Sequence, residues 1–353
     1  GGLVATVTGR MLDIYGARVV GTVAGIVMAL AMLGIALMTE GWHFWIFFGS
    51  ARGAAASGAQ LGTMVSLASW YVQRRGRMVG IISTGQRGGQ ALLPLPLLLI
   101  ITALGWRWGW VALASLVVIF LIIPTFTLVR RRPEDHGLLP DGVGVSDNLS
   151  ISEQSDLAED TWTLAEAKRT VALWALIVAQ AGVVLCLNAS NLHITANFID
   201  QGISQGLAFT AVTIFATLAT VSVLPWGLAM ERIHTRYIGI TSTILLFVSM
   251  VIASLADSFE LAIAFSVTYG LGLGAWTVTS RMLFANYFGR RSFGTIRGFV
   301  APVITGVSAL GPIFAGMVRD ATGSYSFAYQ TFAIVFLVSC IAFVIATPPK
   351  HSE

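Results

Sequence analysis

Apolar runs of 18 or more residues recur along this 353-residue chain, and charged side chains make up only 11% of it. A soluble domain carries about 25% charged residues, so this composition does not supply an ordinary polar surface. Runs of that length match the hydrocarbon thickness of a bilayer when they are helical. Lipid offers no partner to a bare backbone group, so each segment must satisfy its own N–H and C=O groups. Helices do this within one segment, and the runs lack the strict alternation of a barrel strand. The expected fold class is an all-α polytopic membrane protein. Ten whole helices are predicted, at 17–39, 44–69, 78–102, 108–129, 171–198, 207–230, 237–256, 260–285, 294–317 and 325–347. Residues 1–8 read as the last turns of a further span, so the chain is expected to lack an N-terminal part. Cys186 and Cys340 fall inside apolar segments, where burial rather than a structural disulfide is the expectation.

Lys and Arg in the connecting loops set orientation. Alternate loops hold Arg10 and Arg18; Arg74, Arg75 and Arg77; Arg130, Arg131, Arg132, Lys168 and Arg169; Arg232 and Arg236; Arg290 and Arg291. The loops of opposite parity hold only Arg107 and Arg319. Fourteen against two makes the first set cytoplasmic, together with the C-terminus, in a cell's cytoplasmic membrane.

Within this pattern one stretch repeats. Gly9-Arg10-Met11-Leu12-Asp13-Ile14-Tyr15-Gly16-Ala17-Arg18 returns as Gly227-Leu228-Ala229-Met230-Glu231-Arg232-Ile233-His234-Thr235-Arg236. The offset is 218 residues (227 − 9), and the acid and the final arginine both keep it. Tyr71–Arg75 matches Tyr287–Arg291 at 216, and Gly105-Trp106 lies opposite Gly323-Ser324 at 218. A duplicated architecture follows: a helical half at 1–129, a linker at 130–170 and a second half at 171–353. The linker passes through a Ser/Asp/Glu-rich stretch expected to be flexible. It ends at Thr163-Leu164-Ala165-Glu166, a capping-box pattern that predicts a helix start.

The repeated glycine-bounded, acid-bearing hairpin resembles the signature loop of the major facilitator superfamily. Arg130 to Gly142, Thr163 to Trp174 and Gly323-Ser324-Tyr325 resemble its bacterial monocarboxylate-transporter-like and oxalate/formate-antiporter-like branch. Ile14, Ala17 and His234 depart from the common hairpin pattern. The resemblance implies two pseudo-symmetric six-helix halves, with the first helix and most of the second absent here. It also implies that Gly9, Asp13, Gly16 and Arg18, with Glu231, Arg232 and Arg236, form a latch that holds one state of a transport cycle. The glycine- and proline-rich segments 80–96 and 294–316 resemble the superfamily's rocking helices. On physical grounds Asp13 is expected near the N-terminus of the helix that follows it, where negative charge is favoured. Arg18 and the Arg74–Arg77 cluster are its expected partners.

Arginines inside spans mark candidate binding groups, because even the lowest insertion scales put Arg at a helix centre at about +2.5 kcal/mol. Arg52 and Arg87 are the two deepest, and the single Asp or Glu within the predicted spans is Glu260, at the very edge of 260–285. A planar guanidinium suits a carboxylate by bidentate pairing, so an anionic substrate could supply the missing charge. Arg281 lies close to a loop and reads as a gate. The first helix of the second half carries Asn188, Asn191 and His193, polar groups that line a pathway or bond between helices. His193 could also carry a proton. Tyr269 stands opposite Arg52 in the repeat, with Trp276 two turns further on; both are candidate cavity walls. Thr213, Thr217 and Thr220 form a hydroxyl stripe.

The expected function is secondary active transport of a small organic anion, a mono- or dicarboxylate, by alternating access, as proton symport or anion exchange. A neutral or amphipathic substrate with structural arginines, or a sensor that binds without translocating, are the alternatives. No Walker loop, metal-ligand cluster or nucleophile constellation is present in the sequence, so the chain is not expected to be an enzyme or to need a cofactor or metal. The expected partners are a small-molecule substrate, the bilayer and, under the symport mode, protons, with no nucleic acid, and the expected state is a monomer.

Overall fold

The computed structural model describes residues 2–142 and 161–349, and among them every regular element is helical. Most of the Ser/Asp/Glu-rich linker stretch lies outside the described residues. The elements are α1 (Gly2–Ala36), α2 (Gly41–Ala54), α3 (Leu61–Trp70), α4 (Arg75–Leu92), α5 (Pro94–Leu104), α6 (Trp106–Val117) and α7 (Ile123–Thr127). After the linker come α8 (Leu164–Ala167), α9 (Val171–Asp200), α10 (Gln205–Val221), α11 (Val223–Met230), α12 (Thr235–Leu255), α13 (Phe259–Phe288), α14 (Phe293–Thr322) and α15 (Ser326–Ile345).

Nine helices among the described residues are long and apolar enough to cross a membrane. The predicted span 44–69 is not one of them, although 41–70 is helical throughout, through a π-helical segment at Ala55–Gln60. A second π segment, Val118–Ile122, precedes Pro124, which has no N–H to continue the α ladder. The predicted turn between Gly9 and Arg18 narrows to one non-helical residue, Gly16 at φ 81°, where two helical stretches of α1 meet. Helix α8 begins directly after Thr163, at the predicted capping box.

The chain forms two compact units. The first takes in Gly1–Arg74, Gly85–Leu164 and Phe288–Pro302; the second takes in Arg75–Thr84, Ala165–Tyr287 and Val303–Glu353. Each unit therefore includes one short segment from the other half of the sequence. The division falls at 84/85 in α4 and at 302/303 in α14, again 218 residues apart (302 − 84).

In the first unit α1 packs along α2, α3 and α6. Small residues set the spacing: a Cβ on Gly58 would overlap Ala24, and one on Gly34 would meet the Phe47 ring. A Cβ on Gly9 would collide with the Gly294 carbonyl, so α1 and the start of α14 cross backbone to backbone. In the second unit α15 packs against α9 and α12. Its core holds Tyr269 stacked on Phe265 (4.9 Å, 17°), with Phe215 edge-on to Tyr269 (5.1 Å) and Phe198 edge-on to Phe265 (5.5 Å).

Helix α14 contains Pro302 and Pro312, and each leaves the carbonyl four residues earlier without its helical donor. Both orphans find side-chain partners on another helix. Thr6 Oγ1 donates to Gly298 O (3.0 Å) within the first unit, and Asn188 Nδ2 donates to Ser308 O (3.4 Å) within the second. The first contact is part-buried and the second exposed, and each gives a carbonyl freed by proline a replacement donor.

Candidate functional site

The repeated hairpins build the same device twice, once in each unit. In the first, Asp13 Oδ1 accepts from Gly294 N (3.0 Å), and Oδ2 accepts from Thr295 N (2.7 Å) and Thr295 Oγ1 (2.6 Å). These are the orphan donors of the first turn of α14, so a carboxylate from α1 serves as that helix's N-cap. In the second, Glu231 Oε1 accepts from Arg77 N (3.3 Å), in the first turn of α4, and Glu231 Oε2 pairs with the Arg77 guanidinium (3.2 Å). The glycines repeat as well, with Gly9 against Gly294 in the first unit and Gly227 against Gly76 in the second. Each pair, Gly76 with Gly294 and Arg77 with Thr295, is 218 residues apart (294 − 76).

This corrects the expectation for Asp13, which caps α14 rather than the helix that follows it. Glycine at positions 9, 294 and 298 lets the two backbones approach closely enough for a short aspartate to reach across. The expected cation partners are also engaged elsewhere. Arg77 pairs with Glu231, Arg75 Nη1 donates to Asn286 Oδ1 (3.0 Å), and Arg18 lies over the Phe126 ring at 5.0 Å. Gly16 gives room to the Arg131 side chain, whose Nη2 donates to Asp13 O (3.4 Å). Arg236 donates to Phe343 O (3.1 Å) and to Val344 O, closing the C-terminal turn of α15. His234 Nδ1 accepts from Arg236 N (3.2 Å) as the N-cap of α12, and partial burial and the Arg236 charge hold its imidazole below the usual pKa. Arg232 is exposed, and Arg281 is half-buried on α13.

Two acids that the motif analysis passed over hold the linker's start within the first unit. Asp141, at φ 62°, accepts from the successive backbone N–H groups of Val72, Gln73 and Arg74 at 3.0, 3.0 and 3.1 Å. Glu134 pairs with Arg290, which also donates to Ser69 O (2.8 Å). The acidic residues in the Arg130–Gly142 stretch are the signal that could have found them.

Arg52 is exposed on α2 and Arg87 half-exposed on α4. Among the described residues neither makes a hydrogen bond or ion pair. The surroundings of Arg52 give its exposure a meaning. From residue 52 to 70, the exposed positions of this helical run are Arg52, Ala56, Gln60 and Thr63, one stripe with no large apolar side chain. The opposite face is buried against α1. On α5, by contrast, Leu95, Leu98, Leu99 and Leu104 are exposed, as a lipid-facing surface requires. The 52–63 stripe suits water, not lipid, and its polarity accounts for the weaker hydropathy of this run. Gln60 belongs to it although the sequence reading left it out; its spacing of eight residues from Arg52 was the available signal.

On α9, Asn188 bonds Ser308 O, as above. Asn191 is exposed, and its Oδ1 accepts from Tyr269 Oη (3.0 Å), which leaves its amide N–H groups free to donate. His193 lies 3.2 Å from Pro312 O through Nε2 and 3.2 Å from Tyr325 Oη through Nδ1. Tyr269 and Trp276 are both buried in the second unit, with Trp276 edge-on to Phe343 (6.3 Å), so neither presents a ring surface to solvent. Thr213, Thr217 and Thr220 line a shallow groove on α10, each donating to the carbonyl four residues earlier.

A helical, membrane-spanning chain with a duplicated helix-capping hairpin and an exposed stripe free of large apolar side chains has the build of a membrane transporter. The chain belongs to the Major Facilitator Superfamily, whose pattern it matches over residues 1–300 and again over 181–353. It is 22% identical to MFS transporter asaE of Aspergillus flavus over 346 residues, 96% of this chain and 73% of that protein. In fold it is similar to the Escherichia coli fucose:proton symporter FucP, with a TM-score of 0.74 at 12% identity over 98% of this chain and 87% of that one. It is also similar to the human organic anion transporter TETRAN, with a TM-score of 0.71 at 15% identity over 97% and 80% of the two chains.

Proposed function

We propose that the protein is a secondary active transporter of a small organic anion, a mono- or dicarboxylate, working by alternating access in a cytoplasmic membrane with its C-terminus inside. The observation that carries this reading is Arg52: a guanidinium on an exposed stripe that makes no ion pair among the described residues. A permanent cation so placed attracts an anion and offers it a two-pronged donor. Within the first unit Arg87 supplies a second positive group and Gln60 a neutral donor; within the second, Asn191 is a separate candidate donor, held through its side-chain oxygen by Tyr269. Arg281 acts at the gate. The Asp13 and Glu231 caps form the latch, since each fixes the first turn of a helix that the two units share, and the cycle breaks and remakes them.

Counterflow of radiolabelled lactate and oxalate into proteoliposomes tests this. The reading expects saturable exchange, with loss of transport in Arg52→Ala and a weaker, altered substrate preference in Gln60→Ala. Absence of exchange for every small anion tried, or unchanged kinetics in Arg52→Ala, would overturn it. The threonine-lined groove on α10 favours the second reading, a neutral hydrogen-bonding substrate, and uptake of an uncharged solute insensitive to Arg52→Ala would establish that instead.

A further inference from the structure

The arginine that closes each repeated hairpin has a different occupation in the two units. In the second unit Arg236 caps the C-terminal turn of α15, donating to Phe343 O and Val344 O. Its counterpart in the first unit is Arg18 (236 − 18 = 218), and the counterpart of Val344 is Phe126 (344 − 126 = 218). There the capping falls to another residue. Arg130 Nη1 donates to Thr127 O (2.7 Å) and Val129 O (3.3 Å), at the C-terminal end of α7. Arg18 is thereby released from a structural task. Its guanidinium lies over the Phe126 ring at 5.0 Å, and it makes no ion pair among the described residues.

Arg131 reaches the same corner from the linker. Its side chain runs past Gly16, where a Cβ would come within 2.8 Å of Arg131 Cγ, and its Nη2 donates to Asp13 O (3.4 Å). A guanidinium has five N–H donors, so Arg18, Arg130 and Arg131 all keep donors unspent. The carboxylate of that turn, Asp13, is committed to α14 through three hydrogen bonds. Three cations therefore meet here with no ion pair among the described residues. The corner also marks the edge of the apolar surface, since the membrane-crossing stretch Trp106–Thr127 ends one residue after Phe126. Phe126 and Leu128 are 57% and 75% exposed, and Val19 and Val23 of α1 are exposed beside them in sequence order along that helix. Beneath, the elements close tightly: Gly21 leaves room for the Thr125 methyl and Gly25 for the Ile122 side chain. A soluble anion has no use for an apolar approach to its site. A phospholipid has both a phosphate for the guanidiniums and acyl chains for Phe126 and Val19.

We propose that Arg18 and Arg131, at the Gly16 turn of α1 and the end of α7, bind the phosphate of an anionic phospholipid, with Arg130 fixing the end of α7 beside them. Forked guanidinium donors match phosphate oxygens, and arginines at the end of a membrane span hold lipid headgroups in this way. A net negative headgroup such as phosphatidylglycerol is selected, because the ammonium of a zwitterionic lipid is repelled by the three guanidiniums. The proposal is independent of which substrate the protein carries. Since Arg131 also donates to Asp13 O, a lipid held there braces the turn whose carboxylate caps α14. In the second unit no such site forms, because Arg236 spends its donors on α15.

Native mass spectrometry of the full-length protein, delipidated in detergent and titrated with phosphatidylglycerol or phosphatidylcholine, tests this. Phosphatidylglycerol should be retained where phosphatidylcholine is not. Its affinity should fall about tenfold in Arg18→Gln and in Arg131→Gln, and stay unchanged in Arg232→Gln, an exposed arginine of the second hairpin. Equal retention of the two lipids, unchanged affinity in both corner variants, or an equal loss in Arg232→Gln overturns the proposal. Inorganic phosphate at about 10 mM should not compete; full competition would assign the corner to a soluble anion instead. The acids of the linker are the rival occupant. Neutralising Asp147, Glu153, Asp156, Glu159 and Asp160 should leave lipid affinity unchanged, and a clear rise in that variant would give the corner to the linker. If Arg18→Gln does not fold, Arg18→Lys, which keeps the charge and loses the fork, should still bind phosphatidylglycerol more weakly than the wild type does; wild-type affinity in both Arg18→Lys and Arg131→Gln overturns the assignment.

Discussion

The two hairpin caps are related by sequence repeat, yet the structure gives them unequal strength, and that inequality can be measured. Asp13 makes three hydrogen bonds of 2.6–3.0 Å, two of them to the first-turn N–H groups of α14, and is half-buried. Hydrogen bonds to a charged group contribute about 1.5–3 kcal/mol each at most, and they do not add fully. Replacing Asp13 by Asn keeps the shape and one acceptor oxygen but removes the charge and the second acceptor. The expected loss is about 2–4 kcal/mol, one charged hydrogen bond plus the helix-dipole term. Glu231 makes one long backbone contact at 3.3 Å and one ion pair at 3.2 Å to an Arg77 side chain that is 47% exposed. Solvent screens such a pair, and its removal costs about 0–1 kcal/mol. Thermal unfolding of the two purified variants, with transport measured in parallel, therefore separates Asp13→Asn from Glu231→Gln. The aspartate variant should melt several degrees lower and lose much more of its transport. An equal or larger effect in Glu231→Gln would refute the reasoning that cap geometry, not repeat position, sets the strength.

Asn188→Leu should destabilise the protein by about 0.5–1.5 kcal/mol by removing the side-chain donor to Ser308 O, whereas Asn188→Leu combined with Pro312→Ala should recover most of that loss. Thermal unfolding of both variants checks it, and no recovery in the pair would refute the orphan-carbonyl account. The pKa of His234 is depressed in the folded state, and its Nδ1 must be unprotonated to cap α12. A depressed pKa contributes stability above the group's unfolded value that is lost as pH falls through the folded one. Lowering pH from about 7.5 to 5 should therefore lower the melting temperature, and His234→Asn, which keeps an acceptor, should flatten that slope; an unchanged slope would count against the cap.

Much of the architecture was legible because membrane insertion writes itself into composition. The spans followed from apolar length, and the duplicated hairpin followed from one offset that survives in Gly9 and Gly227 and in Asp13 and Glu231. Partners were harder to read. Asp13 meets Gly294 and Thr295, some 281 residues away, and no local pattern marks a carboxylate as the cap of a remote helix. The repeat did contain the clue, since Gly76-Arg77 and Gly294-Thr295 keep the 218-residue offset while the aligned loops before them run at 216. The two-residue drift hid the correspondence. Local propensity was equally silent about the π segment at Ala55–Gln60, which sits within a polar stripe that hydropathy alone reads as a poor span.

The residues within the helices divide by the same physics. Asn188 and His193 lie beside Asn191 on one helix, and in sequence all three look like pathway groups. Pro312 separates them. By withholding its own N–H it makes Ser308 O a partner for Asn188, and its carbonyl receives His193. A proline on α14 thus engages two polar side chains of α9, while Asn191 bonds Tyr269 on α13 instead. Arg52 and Gln60 escape that fate because the helix they occupy is buried on its other face by glycine and alanine contacts with α1, which need no polar groups. What a polar residue in a span does depends on whether a neighbouring helix has a backbone group in need of a partner. Prolines in the neighbouring helix are therefore as informative about a transport pathway as the polar residues themselves.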